Sequence, residues 1–316
     1  MKDFFDTTDV MIESPTVVAI GKFDGEHKGH KKVFSVMHEI AERKGLKTAV
    51  FTFQTPPAAL VTGSVRPQIM TNGERRERLR NEGIDFIVEY PFTQEIMSLS
   101  GEDFVREVLI GKMNMRAIVA GPDCAFGHKR SGNAALLRRL GPIYGFETCI
   151  IEKEKTRGVD ISSTLIRGLL EEGDVAEANR LLGAPYMIEG IVERGNQLGG
   201  RVLGFPTINV YPPCGKLLPK SGVYATEVEI LDGSTAGTVY RGLTNVGVNP
   251  SVKEDSLSHR VRIESYLLDF TGDLYGRQVR ILFYGFVRPE KTFSSMEDLK
   301  VQIAADLRTV RSGTFR

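Results

Sequence analysis

The sequence predicts two domains: a parallel β-sheet covered by helices on both faces, then a small antiparallel β-barrel with a C-terminal helix. In the first half of the chain, short apolar runs alternate with segments of helical periodicity, the pattern of an α/β sheet. After Pro185, strand-like runs follow one another closely between turn residues, which favours a small barrel. The 316 residues are long enough for two domains, and we place them at 1–185 and 186–316.

The elements of the first half follow from apolar runs, helical spacing and stop residues. Val17–Ile20 is a β-branched run before Gly21, which is typical of a buried strand that ends in a glycine loop. From 30 to 44, apolar side chains recur on one helical face, and Gly45 is suited to end that helix. The same criteria predict, in order, strand Thr48–Phe53, helix Glu74–Asn81, strand Asp85–Glu89, helix Ser100–Leu109, strand Ala117–Ala120, helix Ala134–Leu140, strand Phe146–Ile151, and helices Ser162–Glu172 and Asp174–Leu182.

The second half reads as strands followed by one helix. A helix is predicted from Met296 to Leu307, because Ser295 is a suitable N-cap and Asp298 follows three residues later. The strands of the barrel are predicted where apolar residues alternate or run together at strand length, at Gly222–Ile230, Val261–Leu268 and Gln278–Val287.

Composition excludes several classes of protein. Lys and Arg number 41 against 40 Asp and Glu, so net charge gives no reason to expect nucleic acid as the main partner. Cys124, Cys149 and Cys214 are odd in number and far apart, which predicts neither a disulfide framework nor a thiolate zinc site. No signal-peptide pattern or run of about 20 apolar residues is present. We expect a cytoplasmic protein that binds small molecules rather than membranes; its oligomeric state stays open.

Residues 21–30, GKFDGEHKGH, are the first candidate site. Their glycines allow tight backbone paths, and the following helix directs its first N–H groups and positive dipole end at an anion. His27 and His30 are close enough in sequence for both to reach phosphate oxygens, whereas two histidines alone make zinc the weaker interpretation. The segment favours a triphosphate site. An ordinary glycine-rich turn in which two histidines coincide is the alternative.

Residues 161–167, ISSTLIR, are a second candidate for phosphate contacts. Three consecutive hydroxyls open a predicted helix, and Arg167 lies about one turn further on. Hydroxyls and free N–H groups at a helix start bind phosphate, and an arginine fork can bind it through two hydrogen bonds. A plain N-cap with an arginine in solvent is the alternative.

Together, GKFDGEHKGH and ISSTLIR resemble the nucleotidyltransferases that carry an HxGH signature on a Rossmann-like sheet, and most of all the adenylyltransferase module of the bacterial bifunctional riboflavin kinase/FMN adenylyltransferase (FAD synthetase) family. The resemblance implies that His27, His30 and Arg167 act in adenylyl transfer, and that Asp123, in the loop GPDCAFGHKRSG, lies on the flavin side. It implies nucleotide contacts at Gly21, Phe23, Asp24, Gly25, Ser162, Ser163 and Thr164. The chain departs from the family at 54–57, where an Asp-Pro-His-Pro-type stretch is usual, and at Cys124, where an aromatic is usual.

The second half contains GNQLGGRVLGFPTIN at 195–209. If this segment is extended, Thr207 and Asn209 point to the same side, and their oxygens suit a magnesium–nucleotide complex. A glycine-rich hairpin with two polar turn residues is the alternative. Glu264 lies among apolar strand residues and is interpreted either as a surface residue or as a general base.

Four stretches of the second half, GRVLGFPTINV, LPKSGVYA, 262–276 and FVRPEKTF, resemble the riboflavin kinase domain of the same family. The family's Pro-Thr-Ala-Asn signature occurs here as PTIN at 206–209. The resemblance implies that Thr207 and Asn209 bind magnesium–ATP, that Glu264 deprotonates the terminal ribityl hydroxyl and that Arg288 lies in the segment that covers the flavin. It also implies nucleotide contacts at Gly195 and Gly204.

We therefore expect an enzyme that phosphorylates riboflavin with ATP to give FMN, and then adenylylates FMN to give FAD and pyrophosphate. The resemblance implies ATP with Mg²⁺ and riboflavin, FMN and FAD as substrates or products. One alternative is a riboflavin kinase whose first domain has lost most adenylylation, an idea prompted by the departure at 54–57. Another is a flavin- or nucleotide-binding regulator without turnover, although such a binder needs no general base.

Overall fold

The computed structural model describes residues 2–55, 66–194, 207–248 and 261–313. Contacts divide the chain into two units, Met1–Ser163 and Thr164–Arg316. Its strands are β1 Lys2–Phe5, β2 Thr16–Ile20, β3 Lys47–Phe53, β4 Phe86–Tyr90, β5 Met115–Ala120, β6 Ala125–Phe126, β7 Gly132–Asn133, β8 Glu147–Ile150, β9 Lys155–Thr156, β10 Val159–Asp160, β11 Tyr186–Glu193, β12 Thr207–Val210, β13 Gly222–Ile230, β14 Val239–Val248, β15 Val261–Leu267 and β16 Gln278–Arg288. Its helices are α1 Lys28–Lys44, α2 Asn72–Asn81, α3 Gln94–Ser98, α4 Gly101–Asp103, α5 Ala134–Tyr144, α6 Ser163–Glu172, α7 Val175–Leu182 and α8 Met296–Arg311.

The first unit is built on a six-stranded parallel sheet in the order β1-β4-β3-β2-β5-β8. Its strands are buried on both faces, because successive side chains point to opposite faces of the sheet and pack into two separate cores. Val17 and Ala19 pack with Phe34 and Met37 of α1 on one face, and Val18 belongs to the core on the other face. The predicted parallel α/β domain is confirmed.

Most predicted helices of this unit are present, with one change of type. Gly45 ends α1 with a φ of 66°, the left-handed conformation that glycine adopts without strain. The helix predicted over Ser100–Leu109 is α-helical only in α4, and Phe104–Lys112 continues it as a π-helix. Ser100 caps its start by accepting a hydrogen bond from the Asp103 amide at 3.1 Å.

The second unit contains a closed antiparallel barrel in the order β11-β12-β15-β14-β13-β16. Alternate residues point inward, so Ile263 and Leu267 of β15 are buried, and Tyr224 and Phe283 fill the centre with ring centroids 5.4 Å apart. The C-terminal helix α8 packs Leu307 on the outside of the barrel. The predicted barrel with a C-terminal helix is confirmed.

Contacts group α6 and α7 with the barrel, although the sequence analysis placed both helices in the first domain. The physical reason is that α7 packs on β16. The Asn179 amide nitrogen donates to the Phe283 carbonyl at 2.7 Å, and its oxygen accepts from the Tyr186 amide at 2.7 Å. The boundary near residue 185 stays a prediction. In the parts of the chain described by the structure, no helix combines the length and apolarity needed to span a bilayer.

Candidate functional site

The first candidate site lies in the loop between β2 and α1. In the sheet order, β2 stands between β3 and β5, so the chain leaves β2 toward one side and later returns to its other side. Such a switch of direction opens a crevice at the carboxyl ends of the strands, where α/β proteins bind ligands. The amide of Gly21 donates to the Phe51 carbonyl at 3.1 Å and fixes the start of the loop.

The path of this loop uses three left-handed residues. Phe23, Gly25 and Glu26 have φ values of 49°, 91° and 32°, and such values in non-glycine residues occur where surrounding structure enforces them. The Phe23 ring is only 3% exposed and packs 5.4 Å from the Phe34 ring. A Cβ on Gly21 would come within 2.9 Å of that ring, so glycine is required there. Because the Phe23 side chain faces the core, only its backbone is placed to contact a nucleotide.

The structure brings His27 and His30 together. Their rings stack with centroids 3.8 Å apart and an interplanar angle of 19°. Both Nδ1 atoms are buried without a hydrogen-bond partner among the described residues, although part of the His30 side chain reaches solvent. Burial lowers the pKa of His27 to about 4; burial and then the neighbouring His27 lower the pKa of His30 well below its usual value. Both imidazoles are therefore neutral at pH 7 and suited to donate hydrogen bonds.

Two hydrogen bonds of Asp24 tie the loop to other elements. Its buried Oδ1 accepts from the Met70 amide at 3.0 Å, and its carbonyl accepts from the Ser163 hydroxyl at 2.7 Å. Within the first unit, Ser163 is thereby attached to the histidine loop. Ser162 directly precedes α6 and is half-buried.

Thr164 and Arg167, the other predicted residues of ISSTLIR, lie on α6 and belong to the second unit. Thr164 is exposed and Arg167 is half-buried.

The lysines near the histidines are not all available to an anion. The ammonium of Lys31 lies 3.6 Å from a Glu82 carboxylate oxygen, and that of Lys32 lies 2.8 Å from Glu154. The third, Lys28, is exposed at the start of α1. Neighbouring acids therefore neutralise part of the positive charge of the lysines beside the histidines.

Sequence reasoning missed a buried ionic cluster at the same edge of the sheet. Arg75 of α2 donates to Glu89 of β4 at 2.6 Å, and both side chains are less than 5% exposed. Arg76 donates to the other Glu89 oxygen at 2.5 Å. Arg75 also reaches the carbonyls of Phe53 at 3.4 Å and Lys22 at 3.5 Å, so it links the ends of two strands beside the histidine loop. The sequence signal for this cluster was Glu89, an acid within an apolar strand, together with the arginine-rich helix that precedes that strand.

The altered segment at 54–57 is described only in part, since 56 and 57 lie outside the described residues. Gln54 is held by its backbone: its amide donates to the Tyr90 carbonyl at 3.1 Å, and its carbonyl accepts from the Asn72 side chain at 2.9 Å. These bonds do not depend on the identity of the side chain.

The predicted flavin-side residue Asp123 follows β5 and is exposed. Its Oδ2 lies 2.9 Å from the Lys153 ammonium, which also lies 3.5 Å from Asp160 of β10. This ion pair raises the pKa of Lys153, through the hydrogen bond with Asp123 first. Next to it, burial and then Asp123 raise the pKa of the Cys124 thiol. Lys153 thus connects the loop after β5 to the hairpin that precedes Ser162.

Gly29 offers a direct test of the histidine geometry. A Cβ there would lie 3.1 Å from Nδ1 and 3.2 Å from Cε1 of His27, closer than an ordinary contact, so Gly29→Ala must shift this ring slightly within its stack. We expect roughly a tenfold slower adenylyl transfer, measured as pyrophosphate released from FMN and ATP. Alanine favours a helix by about 1 kcal/mol over glycine, so thermal stability should not fall. Gly73→Ala, which meets only the Thr71 hydroxyl at 3.8 Å, is the matched control; equal rates in both variants would contradict this geometry.

The second candidate site is on the barrel, where β12 and β15 run side by side. Asn209 is opposite Glu264, and Thr207 is opposite Tyr266, so the predicted residues point to one face. On the other side of β15, Asn245 of β14 is also opposite Glu264. The structure therefore brings together the polar residues that the sequence analysis selected from separate segments.

The side chain of Asn209 has the features of a binding residue. It is 5% exposed, and its Oδ1 is buried with no hydrogen-bond partner among the described residues. A buried amide oxygen without a donor costs about 1–3 kcal/mol, which a bound cation or donor would offset. Glu264 is about one-third exposed, and its Oε1 lies 2.5 Å from an Arg262 nitrogen. Glu264 is therefore accessible and held in place by a charge pair.

Arg288, the predicted flavin residue of this half, is engaged in the structure. Its Nε donates to Asp306 of α8 at 2.8 Å, and its Nη1 donates to the Pro289 carbonyl at 3.0 Å. The Asp306 carboxylate is 3% exposed. Arg288 thus ties the end of β16 to α8. The predicted nucleotide residues Gly195 and Gly204 lie outside the described residues.

Comparisons with known proteins match the two parts of the chain separately. A family model described as FAD synthetase matches residues 9–165, and one described as riboflavin kinase matches residues 182–313. Among curated relatives, a bifunctional riboflavin kinase/FMN adenylyltransferase of Listeria monocytogenes is 36% identical over 309 residues, 97% of this chain and 95% of the relative. The protein of the same name from Escherichia coli K12 is 34% identical, over 93% of this chain and 91% of the relative.

A solved structure has the same architecture over its full length. The crystal structure described as a macrolide-efflux protein from Streptococcus pneumoniae is 31% identical, with a TM-score of 0.85 and coverage of 98% of each chain. The likeness extends through both the sheet and the barrel. With both family models matched in order and relatives of one name aligned nearly end to end, this chain belongs to the bifunctional riboflavin kinase/FMN adenylyltransferase family.

Proposed function

We propose that this chain makes FAD in two steps at two sites: ATP-dependent phosphorylation of riboflavin on the barrel, then adenylylation of FMN on the parallel sheet. The observation that carries the proposal is that each matched region holds its own polar constellation. The stacked His27 and His30 lie within 9–165, and the facing pair Asn209 and Glu264 lies within 182–313.

In the adenylylation step, a phosphate oxygen of FMN attacks the α-phosphorus of ATP. A new P–O–P linkage forms, the bond between the α-phosphorus and its bridging oxygen breaks, and pyrophosphate leaves. The attacking phosphate is already ionised near neutral pH, so the step needs no base. His27 and His30, as neutral imidazoles, donate hydrogen bonds to the phosphate oxygens on which charge accumulates, and Arg167 is proposed to hold the phosphates from α6.

The nucleotide contacts proposed around these residues follow the backbone of the loop. Gly21, Phe23, Asp24 and Gly25 contribute backbone groups, and Ser162, Ser163 and Thr164 contribute hydroxyls or amides at the start of α6. Support comes from the Ser163–Asp24 hydrogen bond, which joins the two segments. Asp123 is proposed to contact FMN from the loop after β5.

In the kinase step, the terminal hydroxyl of the ribityl chain attacks the γ-phosphorus of ATP and ADP leaves. A neutral hydroxyl needs a base, and Glu264 is the carboxylate placed to accept its proton. Thr207 and Asn209 would hold Mg²⁺ with ATP; the unpartnered, buried Oδ1 of Asn209 fits a hard cation, as does a hydroxyl two residues before it on the same face. Mg²⁺ supplies neutralisation of phosphate charge.

Several assignments that the sequence suggests remain predictions. Gly195 and Gly204 are proposed to contact the nucleotide, and Arg288 to lie beside the flavin. A location in the cytoplasm, and the lack of nucleic acid as a partner, rest on composition alone.

The proposal is tested by chromatography of products from two incubations of the purified protein, one with riboflavin, ATP and Mg²⁺ and one with FMN, ATP and Mg²⁺. We expect FMN and then FAD in the first incubation, and FAD with pyrophosphate in the second. If the first incubation gives FMN but no FAD, and the second gives no FAD, the protein is a riboflavin kinase only. The segment 54–57 would then be the suspected cause. Flavin binding without consumption of ATP would contradict both activities and leave a regulator.

A further inference from the structure

One buried acid in the histidine loop has no part in the mechanism above. Glu26, directly before His27, is 4% exposed and adopts a left-handed φ of 32°. Its Oε2 is buried and has no hydrogen-bond partner among the described residues. A carboxyl group that is buried in a strained backbone position beside reacting groups needs a physical reason.

The reason lies in its contact with a second carboxyl group. Glu26 shares a side-chain hydrogen bond with Glu82, the residue that caps the end of α2. Two ionised carboxylates cannot hydrogen-bond each other, so this contact contains a proton. Burial disfavours the charged form of a carboxyl group, and Glu26 is 4% exposed whereas the Glu82 side chain is 28% exposed. The proton therefore resides on Glu26, the more deeply buried partner.

We propose that Glu26 is a positioning residue for adenylyl transfer: in its protonated form it donates a hydrogen bond to Glu82 and fixes the histidine loop against the end of α2. Loss of this proton places two negative charges together and releases the loop. Because His27 is the next residue along the chain, its stack with His30 depends on that attachment. The inference rests on the proposed function and adds a residue to it.

The charges around Glu26 come from the two helices packed against it. On α2 these are Arg78, which favours the ionised form, and Glu82, which opposes it; on α1 it is Lys31, which favours ionisation. Burial is the largest influence, and together with Glu82 it raises the pKa of Glu26 to about 7. The hydrogen bond is therefore complete at acidic pH and is lost as pH rises through about 7, since the folded-state pKa is above the ordinary value of 4.5.

The experiment is a pH profile of FAD formation from FMN and ATP, from about pH 6 to about pH 9, for the unaltered protein and for Glu26→Gln. Glutamine keeps a neutral donor for Glu82 at every pH. We expect the unaltered protein to lose about tenfold in rate above pH 7, and the variant to lose no more than about twofold. Glu42→Gln, at an exposed acid of α1, should retain the unaltered profile.

The thermal unfolding of each variant shows whether its first unit is folded, and formation of FMN from riboflavin by the same samples reports on the barrel. Three results would overturn the inference alone: no fall above pH 7 in the unaltered protein, the same fall in Glu26→Gln, or loss of FAD formation at all pH values in that variant with its thermal unfolding and FMN formation unchanged. No FAD from the unaltered protein at any pH would overturn the proposed adenylylation, and this inference with it.

Glu82→Gln provides a second variant in case Glu26→Gln does not fold. The amide of glutamine at 82 can donate to an ionised Glu26, so the loop stays attached after Glu26 loses its proton. We expect the fall above pH 7 to disappear in this variant as well. A fall with an unchanged midpoint would contradict the proposed hydrogen bond.

Discussion

His30→Ala is expected to slow FAD formation from FMN and ATP by about 10²–10³-fold, the usual cost of losing one preorganised donor to a developing negative charge. The His30 ring stacks on His27 at 3.8 Å and contacts the Phe23 ring at 5.2 Å, so the variant also removes the surface that orients His27. Pyrophosphate release and chromatography of FAD measure the effect.

The kinase reaction of the same variant tests the separation of the two sites, and thermal unfolding is the control for folding of the first unit. FMN formation from riboflavin should stay within about twofold of the unaltered rate, because the kinase residues belong to the other unit. If His30→Ala lost FMN formation to the same degree while its thermal unfolding was unchanged, the two-site account would be wrong.

Glu264→Gln is expected to have the opposite effect. An amide cannot accept the proton of the ribityl hydroxyl, so FMN formation should fall by about 10²–10⁴-fold, the range over which a positioned general base acts. FAD formation from supplied FMN should be unchanged. The substitution nearly preserves volume, and the partly exposed position makes a large loss of stability unexpected.

A matched control for Glu264→Gln is Glu297→Gln, which neutralises an exposed acid on α8. That variant should retain both reactions. If both variants lost FMN formation equally, removal of a negative charge, and not loss of proton transfer at Glu264, would explain the slower reaction.

Much of the fold was predictable because the first half combines two local signals. Runs such as Val17–Ile20 are apolar enough to be buried on both sheet faces, and α1 ends at a glycine with the required left-handed conformation. The strands β11 and β14 were missed. Both contain glycine within a mixed polar pattern, and their strand conformation depends on neighbours that the barrel supplies.

The candidate site was predictable where its residues are close in sequence. His27 and His30 are three residues apart, and a helix start brings them together. The contacts of Arg75 with Glu89 and of Glu26 with Glu82 join different elements, so only the packed structure reveals them. The inward direction of the Phe23 ring likewise follows from its left-handed backbone, which the sequence pattern did not indicate.

The most direct test of two independent sites is to mix His30→Ala and Glu264→Gln and supply riboflavin, ATP and Mg²⁺. Either variant alone should make FAD from riboflavin about 10²-fold or more slower than the unaltered protein, because the second step is slowed in one and the first step in the other. The mixture should make FAD much faster than either variant alone, through FMN released by His30→Ala. FAD formed by either variant alone as fast as by the mixture, or no FAD from a mixture in which free FMN has accumulated, would contradict the account.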